Sequence, residues 1–137
     1  MGKYGRSTMK DLYSDWHWQI ENGEGLFLSD IDGFWVETRK GKGLVAVYDL
    51  KEPNADITTT EKIIMDWFVG KLPFYIIWPS RDLEEFRVME YTKDSLERQE
   101  ELEIDFERNE KLKVFYLPII PPQLLNKEQY IEFLKNL

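Results

Sequence analysis

The feature that most limits how this chain can fold is a pair of β-patterned runs, residues 26–38 and 43–50, separated by the turn Arg39-Lys40-Gly41-Lys42. Short runs rich in branched and aromatic residues, broken by glycine, are the pattern of a hairpin. Side chains two apart share a face of a strand. Asp30 and Asp32 therefore point to one side of the first strand. Asp49 and Lys51 share one side of the second, with Leu44, Ala46, Tyr48 and Leu50 on the other. Carboxylates within otherwise apolar strands are costly to desolvate unless they are paired or bind a cation. The hairpin thus carries the chain's hint of chemistry.

The flanking segments frame it. Met9, Leu12, Tyr13 and Trp16 recur at helical spacing, with Ser7 or Thr8 as the cap. Pro53 closes the second strand. Asp56 or Thr58 can cap a helix over 59–69, whose stripe is Ile63, Ile64, Trp67 and Phe68 and whose stop is Gly70. The unbroken apolar run 73–78 suits a central strand buried on both faces. Residues 86–91 alternate as a further strand. A strand–helix–strand passage from Asp49 to Trp78 implies a crossover and a mixed sheet.

Beyond Lys93 the composition turns acidic. Residues 102–106 and 113–117 read as a hairpin, Pro118, Pro121 and Pro122 as an extended connector, and Asn126 with Gln129 as the capping box of a last helix. The expectation is an α/β fold with a mixed sheet of about four strands flanked by helices. Residues 1–93 form the core, and residues 94–137 a hairpin-plus-helix extension packed on it.

Composition narrows the chemistry. At 137 residues, with 42% hydrophobic and 15% aromatic content, the chain can bury a core. It has no cysteine and one histidine, so thiol chemistry and multi-histidine metal sites are excluded. A metal here is held by oxygen, which favours Mg2+ or Mn2+, or Ca2+. The start of the chain lacks the apolar core of a signal peptide and no run is long enough to span a bilayer, so a cytoplasmic protein without membrane contact is expected. The net charge of −8 opposes non-specific nucleic-acid binding. A nucleic-acid role therefore needs a local basic patch and metal ions.

Asp32 and Asp49 suit a divalent cation, with the main-chain carbonyl of Leu50 as a further hard ligand. Lys51, on the same face as Asp49, suits orientation of an attacking water or stabilisation of charge developing on phosphorus. The segment S-D-I-D-G-F…L-V-A-V-Y-D-L-K, followed by a helix and an apolar strand, resembles the core of the PD-(D/E)XK nuclease superfamily across residues 16–91. The resemblance implies a restriction-endonuclease-like αβββαβ core and a Mg2+-dependent endonuclease acting on duplex or branched DNA.

Under it, Asp32 matches the first motif acid, Asp49 the second and Lys51 the motif lysine. Asp30 falls where relatives carry an accessory acid. The chain departs from the pattern at Ile31, which replaces proline, and at Asp49, which replaces the commoner glutamate. Glu21 is the nearest match to an upstream helix glutamate, and Thr60 or Glu61 to a polar helix residue facing the site. So small a chain with so little basic surface implies a homodimer.

Plainer readings stand beside these. Asp49 and Lys51 can form an exposed edge-strand ion pair, against which the apolar residues 45–48 argue. Asp30 can bond a backbone amide. His17, between two tryptophans, is either a packed residue or one that approaches DNA or the site. Arg39, Lys40 and Lys42 make either a solubilising turn or a phosphate-gripping loop, and the sequence does not choose. A catalytically inactive nuclease-fold binding or assembly module is the alternative to the nuclease.

Overall fold

The computed structural model describes residues 31–137 together with Thr8, Met9, Asp11, Leu12 and Trp16. The first 30 residues and residues 31–137 form two units. In the first, Thr8 caps a helical turn as expected. Its Oγ1 accepts the Asp11 N–H at 3.1 Å, and its carbonyl accepts the Leu12 N–H at 3.0 Å. The remainder of that expected helix, the start of the first expected strand, and Asp30, His17 and Glu21 lie outside the described residues.

The second unit is α/β. Its strands are β1 (Gly33–Glu37), β2 (Gly43–Leu50), β3 (Ile57–Thr58), β4 (Phe74–Pro79), β5 (Glu85–Glu90), β6 (Leu96–Ile104), β7 (Glu110–Pro118) and β8 (Gln123–Asn126). Helix α1 (Thr59–Phe68) follows β3, and α2 (Lys127–Lys135) follows β8. β1-β2-β4-β5-β8 make one open mixed sheet, and β3-β7-β6 a second of three strands. β2 and β4 run parallel across α1, and all other neighbouring pairs are antiparallel.

The sheet of about four strands expected from the sequence is therefore corrected to five strands plus a separate three-stranded sheet. The difference lies in two short strands. β8 occupies the end of the proline-rich connector and adds an edge beside β5. The dipeptide β3, which reads as a helix lead-in, pairs with β7 (Ile57 to Tyr116) and gathers the β6–β7 hairpin into its own sheet.

Period-two alternation splits the core into two layers. On one face Val47, Phe74, Ile76, Trp78 and Met89 pack with Met65 of α1, Ile57 of β3 and Leu96 of β6. On the other, Ile77, Val88 and Leu125 pack with Trp35, Tyr48, Tyr75 and the α2 residues Tyr130 and Phe133. The run 73–78 is the middle strand of the five, as its continuous hydrophobicity implies.

At the mouth of the hairpin, Gly33 lies directly beneath Tyr48, which stacks on Trp35 at 4.5 Å. A Cβ on Gly33 would stand 2.6 Å from the tyrosine Oη, so any larger residue there displaces the Tyr48 ring. Among the described residues no helix is long and apolar enough to cross a membrane.

Candidate functional site

The site forms where β2 ends. Because Val47 faces α1 in the core, strand alternation turns Asp49 and Lys51 to the same side, toward the first turn of the helix. The backbone is held on both flanks. The Lys51 N–H donates to the Ile77 carbonyl at 2.8 Å, extending the parallel ladder. The Leu50 N–H donates to Asp32 Oδ2 at 2.6 Å, so a side chain takes the place of the next backbone acceptor beyond β1.

Glu61 completes the group from α1. It is the N3 residue of a capping box: its N–H donates to Thr58 Oγ1 at 3.2 Å, and its Oε1 accepts the Thr58 N–H at 2.9 Å. Its Oε2 accepts from Lys51 Nζ in an ion pair. The Lys51 side chain is only 10% exposed, so its ammonium needs this partner.

Asp49 lies within hydrogen-bonding reach of both Asp32 and Glu61. Burial, reinforced by these two acids, pushes its carboxyl up to about 8. Glu61 moves the other way. Burial raises it, but hydrogen bonds from Lys51 and the Thr58 N–H outweigh that and leave it below its ordinary range. Three carboxylates and one ammonium thus share a small space, and Asp49 keeps a proton that the remaining charge balance cannot replace.

The structure therefore brings together Asp32, Asp49, Leu50 and Lys51, as the strand parity implied, and adds Glu61. The sequence placed Glu61 only as one of two options beside Thr60. The spacing Thr58-x-x-Glu61 marks a capping box at the start of the crossover helix, but not that its glutamate meets Lys51.

Arg39, Lys40 and Lys42 are not brought to this cluster. They occupy the exposed turn at the opposite end of the hairpin, where the Lys40 and Lys42 N–H groups donate to Glu37 at 2.7 and 3.2 Å. Seven residue steps along the chain lead from Lys42 to Asp49, roughly 23 Å at ~3.3 Å per step. The turn therefore lies away from the acids.

Among the described residues no three His, Cys, Asp or Glu side chains are set as a group to hold a metal ion. As placed, Glu61 spends one oxygen on the helix cap and the other on Lys51. The donors left for a cation are Asp32, Asp49 and the Leu50 carbonyl. This all-oxygen set fits a hard divalent ion, and the proton held by Asp49 marks where positive charge is wanted. Comparison with protein-family models, curated proteins and solved structures finds no match.

Proposed function

We propose that this chain is a divalent-metal-dependent nuclease that hydrolyses DNA phosphodiester bonds by attack of water, on a restriction-endonuclease-like core. The observation that carries the reading is the convergence of Asp32, Asp49 and Lys51 at one end of the hairpin, over the parallel β2–β4 pair. Within the main sheet, the order of strands β1 and β2, then helix α1, then strand β4 supports it, with the two-residue β3 belonging to the second sheet.

Asp32 and Asp49, with the Leu50 carbonyl, would hold Mg2+ or Mn2+. Such an ion supplies charge neutralisation at the phosphate and acidifies a bound water. Asp49 would release its proton on taking up the ion. Lys51, held in its pair with Glu61, would offset charge growing on the phosphate and orient the water from the Asp49 face of the strand. Glu61 positions that ammonium while capping α1, so the helix and the lysine are held by one side chain.

Supercoiled and branched DNA should be cut in Mg2+ or Mn2+. Cutting should stop with chelator and fall by about 100-fold or more in Asp32→Ala and Lys51→Ala. Metal-dependent cutting that survives both substitutions would overturn the assignment. One observation favours an inactive binding module instead: Lys51 is almost buried and engaged by Glu61. That reading predicts intact DNA with every divalent ion tried.

A further inference from the structure

A nuclease with a net charge of −8 needs a local cationic surface, and the hairpin turn that looked basic lies at the wrong end. A different cation lies in register with Lys51 across the main sheet. On the α1 face of the main sheet, the Lys51 N–H reaches Ile77, which places Lys51 level with Trp78, and Trp78 is the registered partner of Arg87 on β5. Lys51, Trp78 and Arg87 thus form one row across three strands. Arg87 stands two inter-strand spacings from Lys51, about 10 Å. No described residue pairs with Arg87 in an ion pair or hydrogen bond.

A cleft of about 270 Å³ opens over Trp78 and Arg87, lined also by Pro53, Asn54, Ser80 and Arg81. A second hollow, of about 430 Å³, shares Pro53, Ser80 and Arg81 with it and runs on to Leu50 and Lys51. Asp32, Asp49 and Glu61 do not line either hollow, and the second borders the acid site only through Leu50 and through Lys51, the ion-pair partner of Glu61.

Both walls are ordered turns. On one side the Ala55 N–H donates to the Glu52 carbonyl at 3.0 Å around Asn54, whose φ is 66°. On the other, Ser80 Oγ donates to Asp82 at 2.7 Å and accepts the Glu85 N–H at 3.0 Å. Leu83 takes a φ of 59°, and Arg81 stands at the head of this turn.

We propose that this cleft is a phosphate subsite for the DNA strand that enters the acid site. Arg87 and Arg81 bind a phosphodiester neighbouring the one cleaved. Arg87 offers a planar, charged fork with no competing partner. Arg81 pairs with Glu52 at 2.9 Å, but both side chains are more than two-thirds exposed, so the pair is weak and yields to a phosphate. Glu85 also lines the cleft and restricts it to a single anion held between the two arginines. Preformed walls mean that the subsite is organised before the strand arrives.

The proposal rests on the nuclease reading, and the test separates the two. Binding of a short fluorescent DNA duplex is followed by anisotropy across a salt series, with Ca2+ in place of Mg2+. The proteins are wild type, Arg87→Gln, Arg87→Lys and the double variant Arg81→Gln/Arg87→Gln; Mn2+ titration and thermal melting check each protein.

The expected result is affinity about tenfold weaker in Arg87→Gln, partial recovery in Arg87→Lys, and a salt slope shallower by about one for each arginine removed. Mn2+ binding and melting should be unchanged. Wild-type binding that both glutamine variants reproduce in affinity and slope overturns the subsite and leaves the nuclease standing. Absence of DNA binding by wild type at low salt overturns both. Weakened DNA binding that comes with lost Mn2+ binding assigns the effect to collapse of the acid site and overturns the subsite.

Discussion

Asp49 sets the character of the site at the scale of single residues. Its carboxyl is raised from an ordinary 3.8 to about 8, first by burial and then by Asp32 and Glu61. Between those two values the folded protein holds a proton that the unfolded chain has released. The Asp49 contribution to stability is therefore fully present below about pH 4 and is lost as pH rises to about 8. In chelator, wild type should melt at progressively lower temperature across that window. Asp49→Asn should remove most of that slope and gain about 1–2 kcal/mol at neutral pH, a figure reduced for partial exposure. A parallel pH dependence in the two proteins would contradict this.

Asp32, Asp49 and Lys51 were legible in the sequence because strand parity needs no tertiary information. Glu61 was not, because its place depends on how α1 docks against the end of β2. The basic turn was left open between two roles, because its charge is visible in sequence but what approaches it is not.

Among the elements, α1 links fold and site. Thr58 and Glu61 cap it, Lys62 and Asp66 pair at 3.0 Å, and Asp66 accepts from the Tyr91 hydroxyl on the far side of the crossover. Thr58→Ala removes the Oγ1 acceptor of the capping box. It should cost about 1 kcal/mol in urea unfolding. By loosening Glu61 it should also lower cleavage activity, whereas a plain loss of helix stability would leave activity per folded molecule unchanged.

Helix ends, the middle strand and the final capping box follow from spacing and caps that act within a few residues. β3 and β8 span two and four residues, too short for alternation to register, and they exist only through pairing with β7 and β5. The β6–β7 hairpin runs longer than its apolar centre, because Glu97, Arg98, Glu100 and Glu101 lie in it as exposed residues that alternation alone does not recruit.

Across residues 31–137, the C-terminal segment is woven into the same layers as the hairpin. Leu125 is buried on the α2 face, and Phe133 packs edge-on against Trp35 and Tyr75 at 6.1 and 5.1 Å. Removing residues 119–137 would strip the partner from β5 and uncover that aromatic layer. The truncated chain should lose several kcal/mol, unfold in one step with the rest of the sheet, and self-associate through the bared edge. A truncated protein that melts near wild type and stays monomeric would show that the segment is dispensable to the core.

The central claim is that the end of this hairpin is a divalent-cation site, and calorimetric titration with Mn2+ tests it most directly. Wild type should take up Mn2+ at a saturable site, and Asp49→Asn and Asp32→Asn, still folded by circular dichroism, should each weaken it at least tenfold. Absence of binding by wild type, or binding that both variants keep unchanged, would contradict the account.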